Sequence, residues 1–266
     1  MNMKRLLQLK LSLVLLALLA VLGWSRAAGA QPAIASDRPG LGTGAVVLDA
    51  GTIQLEAGAE LAINDERRFS AGQIVVRWGL PFAELQALVN SFVVSRSPDQ
   101  AMEGFEDLGL GVKIPLVARE DDSLQISMLA SLSLPTGSRF LTTDEAVPAV
   151  ALLVDRAVSE RWSVSTNLGY TAGPNAQQDV WSVILTPGAS IPGPLNLTAF
   201  VGYAGFFVSG PDRHVVEAGL TLGPSSDLQL DANWGIDIDT GDYFVGIGFA
   251  RRWGWRGPNT EGADPR

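Results

Sequence analysis

The strongest constraint on the fold is a period-two alternation of apolar and polar residues that recurs from Gly51 onward. In the stretch 52–61, Ile53 and Leu55 share one set of alternate positions, while Glu56 and Glu60 share the other. Successive strand side chains point to opposite faces, so such a strand has one apolar and one charged face. The pattern returns at 107–114, 123–134, 162–170, 216–222, 228–234 and 243–249, with less regular segments between. It predicts an all-β chain of about twelve strands, each roughly 8 to 12 residues long.

The connections between these strands alternate in length. Short ones are predicted at 79–82, 118–122, 157–161, 191–194 and 223–226, and longer ones near 93–104, 135–146, 171–179, 207–213 and 236–242. Aromatic residues fall near both ends of the strands. Both features are typical of a transmembrane antiparallel up-and-down β-barrel in a bacterial outer membrane, with the longer loops outside the cell. A soluble sandwich or lipocalin-like barrel is the alternative, but it would not require tryptophan to gather at strand ends.

The N-terminus has the three parts of a secretory signal peptide. A basic head at 1–5 precedes an apolar core at 11–24 and the small-residue site Ala28-Gly29-Ala30. This pattern predicts export and cleavage after Ala30. The remaining chain then divides into an N-terminal segment at 31–50, a barrel at 51–253 and a polar tail at 254–266. For residues 31–50, three placements stay open: an extra strand, a plug in the lumen, or a periplasmic flap.

The charge and residue usage exclude several classes of site. The formal net charge is −9 and no basic stripe is visible, so no nucleic-acid partner is expected. The absence of cysteine excludes disulfides and thiolate metal sites, and the sequence predicts neither a cofactor nor a metal. His214 is the only histidine, and a surface histidine is the preferred interpretation over the base of an outer-membrane hydrolase.

Charged side chains on the polar strand faces are the best functional candidates. A charge that faces lipid costs about 2–4 kcal/mol at the midplane, so these side chains must face the lumen. The predicted lumen-lining residues are Glu56, Glu60, Arg77, Glu84, Asp107, Lys113, Asn167, Glu217, Asp231 and Arg252. They could line a wet pore or pair across a filled interior, and the acidic excess predicts weak cation selectivity if a pore exists.

Several segments resemble the family of outer-membrane proteins associated with the meta-pathway of phenol degradation, often labelled transporters. The matching segments are Ser36–Pro39, Gly51–Gly58, Val76–Gly79, Phe82–Leu85, Asp107–Lys113, Leu132–Gly137, Asn167–Tyr170, Leu228–Asp231, Asp242–Gly248 and Arg252–Trp253. The resemblance implies an outer-membrane barrel with a transport role, in contact with the lipid bilayer, the barrel-assembly machinery and a small-molecule solute. The preferred hypothesis is therefore a passive channel for small molecules, which could include aromatic or other hydrophobic ones. A closed structural barrel is the alternative, and a hydrolase is the least favoured.

Overall fold

The computed structural model describes residues 34–38, 40–64, 66–97, 101–119, 123–174 and 177–254. The predicted signal peptide at 1–30 and the tail after residue 254 lie outside the described residues. Fourteen strands follow one another in the described chain: β1 Ile53–Ile63, β2 Arg67–Gly79, β3 Glu84–Val89, β4 Phe92–Arg96, β5 Ala101–Phe105, β6 Leu108–Ala118, β7 Leu124–Leu134, β8 Val147–Ala157, β9 Trp162–Thr171, β10 Val180–Ile191, β11 Leu197–Phe207, β12 Arg213–Ser225, β13 Leu228–Asp237 and β14 Tyr243–Trp253. No helix in these ranges is long and apolar enough to cross a membrane.

Twelve of these strands close into one antiparallel barrel. Each pairs with its neighbour along the chain, except that β3 pairs with β6. The first strand closes the ring because β1 pairs with both β2 and β14, with Ile53 opposite Trp253 and Ile63 opposite Tyr243. Closure leaves the barrel without an edge whose backbone groups lack partners. The prediction of an all-β barrel of about twelve strands is confirmed.

The stretch 93–104, predicted as a long loop, contains strands instead. β2 has 13 residues and β3 only 6, so β3 covers just the half of β2 from Ile74 to Gly79. The other half, from Arg67 to Ala71, pairs with β4, and β4 in turn pairs with β5. The prediction of a loop here was wrong because unpaired backbone groups on β2 favour a ladder partner.

The two faces of the wall differ as the alternation predicts. Outward side chains such as Leu110, Met128, Leu230 and Ile247 are 40–65% exposed, which suits an apolar band facing lipid. Exposed aromatic residues form two rings. Trp78, Trp162 and Trp253 lie at the end where the connections are short, and Trp181, Trp234 and Tyr243 lie towards the longer loops.

Candidate functional site

Residues 34–38 and 40–50, here called the internal segment, run inside the barrel without forming a strand. Hydrogen bonds and ion pairs within the described residues connect the segment to ten of the twelve wall strands. It therefore follows the inner circumference of the barrel and narrows the lumen. Because the segment has no ladder partner, its backbone groups depend on side chains from the wall.

Three wall side chains hold alternate backbone N–H groups of the segment. Glu217 accepts from the N–H of Leu41 at 3.0 Å, Asn167 from Thr43 at 2.7 Å, and Asp155 from Ala45 at 2.7 Å. Asn167 also donates to the carbonyl of Thr43 at 2.8 Å, so its amide replaces a ladder neighbour. An extended chain presents alternate groups to the same side, which explains the spacing of two.

The turn at Gly40 accommodates the Glu217 carboxylate. Gly40 has a φ of +102°, a backbone region that favours glycine, and a Cβ there would lie 2.9 Å from Glu217 Oε1. Any side chain at this position would push the segment away from the acceptor that binds it.

A buried ion network anchors the other end of the segment to the wall. Lys113 Nζ lies 2.8 and 2.9 Å from the two carboxylate oxygens of Asp37, and its side chain is fully buried. Arg77 donates to both oxygens of Glu84, at 2.7 and 2.8 Å, and to Glu56 at 3.0 Å. Two cations thus face three carboxylates, and one of those carboxylates, Asp37, belongs to the segment. Such pairs are held firmly only when all partners remain in place.

Backbone groups of the segment complete this network. Arg77 donates to the carbonyls of Ala35 at 2.8 Å and Val46 at 3.0 Å, and Lys113 donates to that of Gly44 at 2.9 Å. Glu84 accepts from the N–H of Leu48 at 2.9 Å. The same wall charges therefore bind both the beginning and the end of the segment.

Arg38 occupies a notch formed by two paired glycines. Gly58 and Gly248 are opposite each other on β1 and β14, and a Cβ at either would lie within 2.6 Å of the Arg38 guanidinium. The guanidinium donates to Gln73 at 2.7 Å and lies 3.5 Å from an Asp231 carboxylate oxygen. Glycine is required at both wall positions to admit this side chain.

An apolar layer lies beside these polar contacts. Ile184, Ala204, Val215 and Phe244 form a buried cluster on the inner wall, and Leu41 of the segment packs against it. The segment thus contacts both a charged and an apolar part of the interior.

The sequence of the chain matches one family model over residues 36–253, the family described as "Putative MetA-pathway of phenol degradation". The chain belongs to this family. The membership predicted from the motifs is confirmed, and the phenol-degradation family model covers the internal segment from Ser36 as well as the wall. No curated protein matches the chain.

Solved structures with a similar fold include an outer membrane channel and two porins. An outer membrane channel from Pseudomonas putida F1 is similar with a TM-score of 0.64 and 14% identity, over 81% of this chain and 99% of that one. The NanC porin is similar with a TM-score of 0.53 and 8% identity, over 74% and 98% of the two chains. The KdgM porin has a TM-score of 0.50 and 12% identity, over 74% and 98%. At these identities the similarity shows only that this chain and those proteins have the same fold.

The structure brings most, but not all, of the sequence-predicted site residues together at the segment. Glu56, Arg77, Glu84, Lys113, Asn167, Glu217 and Asp231 all contact it. Glu60 is half-buried on β1, opposite Gly246 and Ser70. Arg252 lies at the opposite end from the long loops and donates to the carbonyl of Ser226 at 2.5 Å.

The carboxylate of Asp107 binds the long loop at 135–146. Its carboxylate accepts from the backbone N–H groups of Thr136, Gly137 and Thr143 and from the Thr143 hydroxyl, at 2.8–3.0 Å. Burial alone would raise the pKa of Asp107, but the hydrogen bonds from Thr143 and Gly137 outweigh it and lower that pKa. The residue therefore orders the loop at 135–146.

Sequence reasoning missed several residues that hold the segment. Asp155 accepts from the backbone N–H of Ala45, and the hydroxyl of Ser127 donates to the carbonyl of Ala45 at 2.5 Å. The sequence analysis named Asp37 and Arg38 only as members of the family segment Ser36–Pro39, and not as candidate site residues. The alternation in β8 would place Asp155 inward, but the apolar run before it obscured the pattern.

His214 lies on the outward face of β12. Its ring nitrogen Nδ1 is 2.8 Å from the hydroxyl of Tyr203, and its backbone N–H donates to Asp239 at 3.1 Å. The hydroxyl partner of this histidine is a phenol rather than a serine, so the contact lacks the arrangement that a serine hydrolase uses.

Proposed function

We propose that this protein is a passive outer-membrane channel for small molecules, with the internal segment as its gate. One observation carries the proposal: a chain without secondary structure lies in the lumen and is bound through its backbone by polar side chains of a closed wall. The barrel ladders are complete without the segment. The segment can therefore leave the lumen without breaking a strand pairing.

The membrane location and the channel role are supported by the fold and the exterior. The apolar outer band with its two aromatic rings suits a bilayer, and the neighbours with the same fold are named channels and porins. We propose that a cleaved signal peptide at 1–30 exports the chain, that the internal segment remains in the lumen of the folded protein, and that the barrel-assembly machinery inserts the barrel. The wall residues that hold the segment, among them Glu84, Asn167 and Glu217, would become accessible to solute when the segment moves.

Conductance across a planar bilayer tests this function. We expect the wild-type protein to remain mostly closed with brief openings, and a variant lacking residues 34–48 to conduct continuously. Single-channel recordings would be made on both proteins after the folded barrel is checked by its heat-dependent shift in gel mobility.

The closed structural barrel is the competing function. It predicts no conductance from either protein, because the interior would stay filled by pairing among wall side chains. A silent deletion variant that still forms a barrel would contradict the channel.

A further inference from the structure

Arg38 lies in a slot of the inner wall that admits a flat cation. Gly58 on β1 and Gly248 on β14 are cross-strand partners, and Asp231 on β13 is the other partner of Gly248. A Cβ on Gly248 would lie 2.5 Å from Nε of Arg38, and a Cβ on Gly58 would overlap the guanidinium carbon. The two glycines therefore leave room for a planar group, with a carboxylate beside it.

The groups around this slot are hydrogen-bond acceptors. Arg38 donates to Oε1 of Gln73 at 2.7 Å and to the carbonyl of Ile247 at 3.4 Å. On β13, β14 and β1, the level of the slot and the next level towards the long loops contain Asp231, Asn233, Gly248, Gly246, Gly58 and Glu60. None of these six residues is basic. The wall thus supplies two negative charges here, and the internal segment supplies the positive one.

The backbone of β2 is distorted where it brings Gln73 to the slot. The pairing of β1 with β2 shifts register between Glu56 and Gly58, and on the β2 side Gly72 has a φ of +109° and Gln73 a φ of +42°. Residues other than glycine rarely adopt positive φ, and such strain concentrates at functional sites that hold it in place. The wall therefore keeps a strained residue whose amide oxygen binds the cation.

Arg38 leaves the carboxylate of Asp231 incompletely satisfied. This carboxylate is fully buried, and Nη2 of Arg38 lies 3.5 Å from Oδ1. Among the described residues, neither carboxylate oxygen accepts a hydrogen bond, and Nε of Arg38 donates none. A buried carboxylate without hydrogen bonds is costly. A free solute is not restrained by the backbone of the segment, so it can approach this carboxylate more closely than Arg38 does.

We infer that the slot binds a small solute with a guanidinium group, and that Arg38 occupies this site when the channel is closed. The inference rests on the proposed transport function and names its substrate class. A planar fork of N–H donors suits a flat slot with acceptors at its edges better than a compact ammonium does. Only the side chain of Arg38 has to leave, while the backbone contacts at Leu41 and Thr43 stay in place. Because the bound solute removes one anchor of the segment, it favours the released state.

Three small probes test the chemistry of the site: methylguanidinium, methylammonium and N-methylurea, each with a carbon-13 methyl group. Methylurea keeps the planar shape without the charge, and methylammonium keeps the charge without the plane. Their binding to Arg38→Ala, which vacates the slot, and to the wild type would be measured by carbon-13 NMR line broadening in phosphatidylcholine nanodiscs. A hydrogen bond to an ionised group is worth roughly one to two factors of ten in affinity.

We expect Arg38→Ala to bind methylguanidinium roughly tenfold or more tightly than it binds either other probe. We also expect it to bind methylguanidinium more tightly than the wild type does, because the intramolecular competitor is gone. Equal binding of methylguanidinium and either other probe, or equal methylguanidinium binding by the two proteins, would overturn the inference.

Two substitutions in the Arg38→Ala background test the location. Asp231→Asn keeps the shape of the slot but removes its charge, and it should weaken methylguanidinium binding roughly tenfold or more. Glu160→Gln removes the same charge from an exposed turn and should leave binding unchanged. Binding that survives Asp231→Asn, or that falls equally in both variants, would refute the site.

Single-channel recordings test the competition with Arg38. Methylguanidinium should raise the open-state occupancy of the wild type but not that of Arg38→Ala, in which no side chain has to leave the slot. Methylurea at the same concentration should change neither protein. No rise in a conducting wild type, or an equal rise in both proteins, would refute the competition.

The binding assay and the conductance assay fail independently. Methylguanidinium binding in a protein whose segment-deletion variant does not conduct would refute transport and leave the site standing. A conducting channel whose Arg38→Ala variant does not bind methylguanidinium would refute only the inference about the slot.

Discussion

Neutralising Asp37 should release the gate. In Asp37→Asn, Lys113 keeps its hydrogen bond to the carbonyl of Gly44 at 2.9 Å but loses the ion pair with the Asp37 carboxylate at 2.8 Å. The next carboxylate, Glu84, is 3.9 Å from Lys113 and is already bound by Arg77 at 2.7 Å. A fully buried cation is thus left with a distant and shared counter-ion.

The cost falls on the docked state alone. When the segment leaves, water enters the lumen and hydrates Lys113 whether or not residue 37 carries a charge. Removing one partner of a buried pair costs about 3–5 kcal/mol, and the retained amide and Glu84 place this case near 3 kcal/mol. Since about 1.4 kcal/mol is a factor of ten, the ratio of released to docked states should rise roughly 100-fold.

The open-state occupancy in single-channel recordings measures this ratio. Asp49→Asn is the matched control, because Asp49 lies in the same segment but is exposed. Lys113→Met in combination with Asp37→Asn should restore much of the closed state, since no unmatched cation then remains. Occupancy that is the same in Asp37→Asn as in wild type, or that rises equally in Asp49→Asn, would refute the role of this pair.

Three further outcomes follow from the barrel itself. A cysteine in place of Arg139 should be labelled by an impermeant maleimide on intact cells, and a cysteine in place of Glu160 should not. The chain has no native cysteine that could be labelled instead. Labelling at Glu160 would reverse the assigned topology. Arginine in place of the outward-facing Leu230 should lower the free energy of unfolding in lipid by about 2–4 kcal/mol. Arginine in place of Ile238, beyond the end of β13, should lower it by only about 0–1 kcal/mol. Equal losses at the two positions would contradict an apolar band that faces the membrane. The pKa of Asp107 is lowered, so the stabilisation of the loop by its carboxylate is complete above the ordinary aspartate pKa and is lost as the pH falls through the lowered value. Pepsin cleavage within 136–143 should therefore rise over that pH range in wild type. Asp107→Asn should show no such step.

The wall could be predicted from the sequence because its signal is local. Each strand carries its own alternation, so the opposite faces of Leu110 and Lys113 can be predicted from β6 alone. Alternation also placed Glu56, Arg77 and Glu84 on the inner face. It failed in β8, where the apolar residues before Asp155 hide the inward position of that carboxylate.

The internal segment could not be placed from the sequence because its signal is not local. Its backbone groups bind side chains such as Glu217 and Asn167, which are distant along the chain. No periodic pattern within 34–50 indicates which wall side chains the segment binds. The β4–β5 pair escaped prediction for a similar reason, since its ladder depends on the unequal lengths of β2 and β3.

The contacts of the internal segment also set an order of events during folding. They join residues that are 19 apart along the chain, as for Asp37 and Glu56, up to 209 apart, as for Arg38 and Ile247. Contacts between distant residues form late, because the intervening chain must first lose its freedom. We therefore expect a water-filled barrel to precede the filled one. In refolding experiments a cysteine at Thr43 should remain reactive after strand formation is complete and become protected in a second, slower step. Simultaneous protection and strand formation would show instead that the wall closes around a segment already in place.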